Sequence, residues 1–439
     1  MIHKNRAPND LITAIDLGSS RCLTLMATRD GQSGEMRVVG VGNVPSRGIR
    51  RATIINLEEA IKTVEQSVAM AEKICGINAE SVYMNVGGQH ISSLNSNGVV
   101  VVADSNNEIT ESDVDRAIEA ARAISLPADR EILNLTPRFY TVDSQEGVRD
   151  PLRMVGVRLE TDIHLITCSS SALRNLEKTL NDVDLDKDGF VFSGFAASEV
   201  VLTEAEKEAG VICIDLGADT TSYCVFVDGA ILLSGVIPIG ARYVTQDINA
   251  YTHVGLENAE KIKISLSEEE GEIEPQRPDE SREEYRRRLK QLDTLNLSDY
   301  EPNIKPSTMS KANLIRAVIM PRLKEIFGLI AQELKKNKIN DKLGAGAVIV
   351  GGGAKTVGLV EVATRALNMQ VRLGVPNGTQ GVVRHLNDPA YATAIGLLTF
   401  ALKEQASDET DSSNKKNGKE PTFDNIFGKI GRSLKKFMP

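Results

Sequence analysis

The chain has 439 residues, 41% of them apolar and 25% charged. That composition excludes collagen-like and wholly disordered classes and leaves room for about three domains. Lys and Arg number 51 against 60 Asp and Glu, a formal charge of −9 that argues against a general nucleic-acid binder. Cys22, Cys75, Cys168, Cys213 and Cys224 lie beside apolar residues with no C-x-x-C pair, and His3, His90, His164, His253 and His385 are too dispersed to chelate. Buried thiols in a reducing cytosol are expected, and a metalloenzyme built on protein ligands is not.

In chain order, the polar N-terminus has no apolar leader core, and no apolar run approaches the ~18 residues of a span, so a cytoplasmic location is expected. ITAIDLGSS (12–20) runs into RCLTLMAT (21–28), which reads as strand, turn, strand. GVVVVAD (98–104) alternates like a strand, and ITESDVDRAIEAARAI (109–124) starts like a capped helix. SGFAASEVVL (193–202) is a helix rich in small residues. ICIDLGAD (212–219) then repeats the first turn, with Ile-Asp-Leu-Gly identical at 15–18 and 214–217, and TSYCVFVDG (221–229) supplies its second strand. After the helical ENAEKIKISLS (257–267) comes a stretch rich in charge and proline, 267–306, expected to be a solvated surface insertion with a short helix at 283–292.

AGAVIVGGGAKTVGLVEVATRAL (345–367) reads as a strand, then Gly351-Gly352-Gly353 at the start of an amphipathic helix. It is neither a Walker A loop nor a dinucleotide fingerprint. DPAYATAIGLL (388–398) is a second small-residue helix. Residues 403–421 are polar and lack aromatics, so a disordered linker is expected there. In the final segment Phe423, Ile426, Phe427, Ile430, Leu434 and Phe437 fall on one helical stripe, with Lys429, Arg432, Lys435 and Lys436 mostly off it.

The two matched turns carry the chemistry. Glycine at each tip is expected to supply unusual dihedrals and a close backbone approach. Two such hairpins on facing lobes could grip a triphosphate, with turn N–H groups toward its oxygens and Asp16 and Asp215 holding Mg²⁺ through water. The third glycine cluster suits a flat ring or a phosphate at a helix N-terminus. Ala196, Ala197, Ala392, Ala394 and Gly396 would let two helices cross closely beneath the cleft.

Hairpin, hairpin and glycine turn in this order resemble the phosphate-1, phosphate-2 and adenosine motifs of the actin, heat-shock chaperone and sugar-kinase superfamily. Within it the chain resembles the FtsA family, the actin homologues of bacterial cell division. IDLGSS, SGFAASEVVLTEAEKEAGV, VIPIGARYVTQDI, PRLKEIF (321–327), GGGA (351–354) and DPAYATAIGLL carry that resemblance. It implies an α/β, actin-like (ribonuclease H-like duplicated) two-lobed ATPase fold with an inserted small α+β subdomain, 1C. The implied divisions are 1A at 1–84, 164–206 and 381–402, 1C at 85–163, 2A at 207–245 and 320–380, and 2B at 246–319. A disordered linker at 403–422 would end in an amphipathic membrane-targeting helix at 423–439.

The cofactors implied are ATP and Mg²⁺. The implied contacts are Asp16, Gly18, Ser19 and Ser20, then Asp215, Gly217, Ala218, Thr220 and Gly240, and finally Gly351, Gly352, Gly353 and Ala354. Glu260 and Lys263 map to an E-x-x-K segment lying on ribose and adenine. The implied partners are further copies in a filament, the tail peptide of the tubulin-like FtsZ with Arg322 as a carboxylate contact, and later division proteins. Anionic lipid on the cytoplasmic face of the inner membrane completes the set.

Departures from the superfamily limit the expected chemistry. Gly194 stands where the chaperones carry a water-positioning acid, and their catalytic lysine after the first hairpin has no match here. Glu199 reads as an ordinary helix acid. Ala218-Asp219 replaces Gly-Gly, which Asp tolerates through left-handed dihedrals. Nucleotide binding with at most slow hydrolysis is therefore expected, and no residue is assigned to catalysis. The tail is too short and charged to span a bilayer but suits its interface. Each buried apolar side chain there would contribute at most ~1.5–3 kcal/mol. Each cation would add ~1 kcal/mol near anionic lipid. One tail is marginal, whereas many on one polymer reinforce each other. The alternatives are a PilM-like pilus-assembly adaptor, against which the amphipathic tail speaks, and a small-molecule kinase, for which no substrate base is evident.

Overall fold

The computed structural model describes residues 11–29, 36–268, 275–277, 279–376, 379–381 and 386–414, with side chains of the last helix described through Gln405. Two sheets repeat one plan. In the first, Leu11–Leu17, Arg21–Arg29 and Met36–Pro45 form an antiparallel meander, and Ser81–Val86 then Asp186–Phe192 join in parallel beside the first strand. In the second, Val211–Leu216, Thr221–Val227 and Ala230–Ile237 make the meander, with Gly346–Val350 and Val371–Leu373 in parallel beyond it. The short strand Thr379–Gly381 extends the first sheet at Met36–Pro45. Both first strands are apolar over most of their length because helices cover both sheet faces.

Between the sheets run the helices Ser193–Val201 and Ala392–Asn414. Ala196, Ala197, Ala392 and Ala394 are all buried, and a Cβ on Gly396 would lie 1.9 Å from the Ala196 carbonyl oxygen. The close crossing expected from the small residues is present, and glycine is what permits it. The last helix continues through Asn414, so the first part of the expected linker is helical. Residues 415–439, with the expected membrane-targeting stripe, lie outside the described residues. No helix among the described residues is long and apolar enough to cross a membrane.

A third, antiparallel sheet orders Ser92–Val101, Arg158–Ser169, Arg130–Val142 and Gln145–Val148 under the helix Glu111–Arg122. That helix opens with the reciprocal cap of Thr110 and Asp113 expected from its polar start. The small domain has its own apolar core. The bounds expected for it, 85–163, cut two strands: Asn85 belongs to Ser81–Val86 in the first lobe, and Arg158–Ser169 runs past 163. The domain also covers the edge strand of the second lobe. Ser93 Oγ donates to the Ser234 carbonyl at 2.6 Å, Asn95 Nδ2 donates to the Leu232 carbonyl at 3.1 Å, and His164 Nε2 lies 2.8 Å from Ser234 Oγ.

Three further expectations change. The glycines at 351–353 do not open a helix, because turns occupy the loop until Leu359–Leu367 begins. PRLKEIF does start the α-helix Met320–Lys336, with Pro321 in its first turn, but without a free end, since Lys311–Leu314 and a π-helical turn at Ile315–Ile319 run into it and Pro321 sits where the pitch changes. Within 267–306, the helix Arg282–Leu292 has no buried residue, but Leu295 and Leu297 enter the second-lobe core, so the insertion is anchored at its C-terminal end.

Candidate functional site

A cleft of about 730 Å³ opens between the lobes, with both Asp-Leu-Gly turns on its walls. The turns match in detail. The Gly18 N–H donates to the Arg21 carbonyl and the Gly217 N–H to the Thr220 carbonyl, each at 3.0 Å. Neither glycine has a positive φ, which corrects the reason expected for them. They are required by space: a Cβ would come within 3.1 Å of the Arg21 carbonyl oxygen and 2.9 Å of that of Thr220. Ser19, Ser20, Ala218 and Thr220 line the cleft beside them. Gly240 does not line it but backs the second turn, where a Cβ would meet the Ala218 carbonyl oxygen at 2.5 Å.

Asp16 and Asp215 lie near the ends of the two first strands, beneath the turns. Burial raises the Asp16 carboxyl to about 7, with Arg21 pulling it down and Asp215 pushing it up. Burial likewise raises Asp215 to about 6, against a hydrogen bond from Thr393 and the charge of Arg21. Asn85 fixes the first of the pair: its Nδ2 donates to Asp16 Oδ1 at 2.8 Å, and its Oδ1 accepts from the Leu17 N–H at 2.7 Å. Thr393 Oγ1 donates to Asp215 Oδ2 at 3.3 Å.

Arg21, at the head of the first hairpin's second strand, brings a cation to the site that sequence reasoning did not single out. Its guanidinium donates to the Ala390 carbonyl at 2.5 Å, lies 4.9 Å from the Tyr391 ring centre and lines the cleft. A charged residue heading an otherwise apolar strand was the one sequence signal available for it. Asn85, inside the strand SVYMNV, is a polar residue in an apolar run and carried a similar, weaker signal.

On the far wall, Glu260 and Lys263 line the cleft, and the Lys263 ammonium donates to Glu260 at 2.8 Å and to Thr245 Oγ1 at 3.0 Å. Gly351, at φ 90°, has no room for a side chain, since a Cβ would lie 2.3 Å from Asp215 Oδ1. Gly353 packs on Leu216, Ala354 is buried behind the loop, and Gly352 has nothing within 4 Å of its would-be Cβ. A ligand would therefore meet a bare loop there rather than a helix N-terminus.

Three other assignments change in the folded chain. Asp219 has no left-handed dihedral; it is buried, and its carboxylate accepts the Arg51 N–H at 2.9 Å. Glu199 is not an ordinary helix acid, for its side chain is 2% exposed and meets the ammonium groups of Lys207 at 3.3 Å and Lys403 at 2.7 Å. Burial would raise its pKa, but the two lysines outweigh burial and hold it below the usual range. Arg322 is engaged within the chain, bidentate to Asp247 at 2.6 and 3.0 Å and paired with Glu325. An outside carboxylate would have to displace Asp247.

Duplicated sheets, a crossing helix pair and mirrored turns at one seam define an actin-like ATPase fold. Solved structures share it: the PilM–PilN type IV pilus biogenesis complex (TM-score 0.60, 15% identity, 90% of this chain and 99% of that one) and MreB 5 of Spiroplasma citri bound to AMPPNP (0.52, 11%, 93% and 100%). The model of the SHS2 domain inserted in FtsA matches residues 88–167, and that of cell division protein FtsA matches 212–396. Cell division protein FtsA of Pseudomonas aeruginosa is 34% identical over 400 residues, covering 90% of both chains, and that of Escherichia coli K12 is 30% identical over 410, covering 91% of this chain and 92% of its own. The chain belongs to the FtsA family, and its role is in cell division.

Proposed function

We propose that the cleft binds Mg-ATP and that the chain polymerises at the division site on the cytoplasmic face of the inner membrane. There it would tether FtsZ and help recruit later division proteins. The observation that carries this reading is the pair of matched turns on one cleft with a partly buried aspartate beneath each. The fold is shared with structures of MreB 5 bound to ADP and to AMPPNP, which supports a nucleotide. Gly18, Ser19, Ser20, Gly217, Ala218 and Thr220 would meet the phosphates, and Glu260, Lys263 and Gly351 to Gly353 the nucleoside.

The donor set fits magnesium. Among the described residues no three His, Cys, Asp or Glu gather as a ligand cluster. Two carboxylates acting through water, completed by phosphate oxygens, suit Mg²⁺, which keeps much of its hydration. When bound, the ion supplies positive charge to the phosphates. Asp16 and Asp215 orient it and become its counter-charge, with Arg21 close by. With Gly194 at the water-positioning place, hydrolysis would be slow and the nucleotide a switch.

Subdomains 1A, 2A and 2B would follow the two sheets and the outer second-lobe helices, and 1C would offer a filament contact. The stripe from Phe423 to Phe437 would hold anionic lipid. FtsZ would dock near Arg322, with its tail carboxylate competing against Asp247. Calorimetry tests the central claim: Asp16→Ala and Asp215→Ala should each abolish Mg-ATP binding, and unchanged affinity in both would overturn it.

A further inference from the structure

At the mouth of the cleft the lobes are joined by a hairpin that no motif marked, meeting residues of the two matched turns. The hairpin of Ile49–Arg50 and Thr53–Ile54 in the first lobe turns through Arg51 and Ala52, with φ 49° and 55°. Two successive non-glycine residues in the left-handed region are costly, so the turn must be over-determined by what it reaches. The Arg51 N–H donates to Asp219 Oδ2 in the second phosphate turn, and the Ala52 N–H donates to Ser19 Oγ in the first, at 2.8 Å. Gly88 leaves room beneath, since a Cβ there would meet both the Arg51 and Ala52 carbonyl oxygens at 3.2 Å. The Arg51 guanidinium donates to the Tyr243 hydroxyl at 3.0 Å.

Arg242 answers from the second lobe. One arm of its guanidinium donates to the Ser19 carbonyl at 2.8 Å, and the other lies 3.1 Å from the Asp219 carboxylate. Its side chain is 33% exposed and lines the cleft, whereas that of Asp219 is 6% exposed. A partly exposed fork of donors thus stands on the wall between the two turns, held by the Ser19 carbonyl and one buried carboxylate. Guanidinium forks match phosphate oxygens as well as carboxylates.

We propose that Arg242 is the residue by which this protein tells a nucleoside triphosphate from a diphosphate, with Asp219 and Arg51 as its positioning residues. The inference rests on the nucleotide reading above and adds the group that contacts the terminal phosphate. With a diphosphate, Arg242 stays on Asp219. With a triphosphate, the terminal phosphate takes an arm of the guanidinium, and Asp219 keeps the Arg51 turn. A ligand shifts such an equilibrium only through differential contacts, and Arg242 supplies one.

The test is calorimetry on the full chain with Mg-ADP and Mg-AMPPNP. The wild type should favour AMPPNP by about tenfold or more, and Arg242→Gln should cut that preference below about threefold while leaving ADP affinity within about twofold. Asp219→Asn keeps an acceptor for the Arg51 N–H but releases Arg242, so it should strengthen AMPPNP binding more than ADP binding. If Arg242→Gln does not fold, Asp219→Asn decides alone. A wild type without preference, an unchanged preference in the variants, or equal weakening toward both nucleotides would overturn the assignment. Failure of the wild type to bind either nucleotide would instead overturn the nucleotide reading, and this inference with it.

Discussion

Asp16 and Asp215 are the residues on which pH should act. Each folded carboxyl titrates above its ordinary value of 3.8, at about 7 and about 6. Between those limits the folded chain holds protons that the unfolded chain has released, so the nucleotide-free protein loses stability from this pair as pH rises from about 4 to about 7. Burial is the cause, since it penalises the ionised form. A divalent ion reverses the preference by requiring both carboxylates ionised. Mg-ATP should therefore bind about twentyfold more weakly at pH 6 than at pH 8, about tenfold from the group at about 7 and about twofold from the group at about 6. Calorimetry across that range checks it, and an affinity independent of pH would show that the aspartates stay away from the metal.

At the scale of elements, the helix pair beneath the cleft is the part least tolerant of change. Gly396→Ala puts a Cβ onto the Ala196 carbonyl oxygen and must push the last helix away from Ser193–Val201. The expected loss is about 3 kcal/mol in denaturant unfolding, at the upper end for overpacking because the obstruction is backbone. Further along the same helix, Lys403 meets Glu199, which also holds Lys207 of the helix Glu204–Ala209. Glu199→Ala leaves buried Lys207 with Glu204 as its remaining partner and Lys403 turned toward solvent, and should cost about 1–3 kcal/mol. A loss below about 1 kcal/mol in the same measurement would mean that the lysines reach water once their partner is gone.

At the scale of the whole molecule, nucleotide, polymer and membrane are expected to act together, because one amphipathic tail is a marginal anchor and many are not. Removing residues 423–439 should release the chain from anionic liposomes in sedimentation, and Phe427→Glu should do nearly the same. Replacing Lys429, Arg432, Lys435 and Lys436 should leave binding that fades further as salt is raised. Continued co-pelleting of the truncated chain would remove the tail as the anchor. The inserted domain adds a second consideration at this scale. It hangs from the first lobe yet bonds to Leu232 and Ser234 of the second, so lobe movement must be felt at its seam.

What the sequence by itself determined is the duplicated plan: Ile-Asp-Leu-Gly twice in strand–turn–strand settings, a glycine-rich loop, and small residues where two helices cross. Those features are local, and period, turn chemistry and side-chain size are written within a few adjacent positions. What only the tertiary structure decided are the partnerships. Asn85 reaches Asp16 across 69 residues, Arg51 reaches Asp219 across 168, and Lys403 reaches Glu199 across 204. A buried acid and a solvated one look alike in a helix until the chain folds and brings, or withholds, the opposite charge. For the same reason Asp219 read as a turn residue, and Arg322 as a contact for an outside carboxylate rather than for Asp247. Burial and pairing belong to the assembled lobes, and no stretch of neighbouring residues records them.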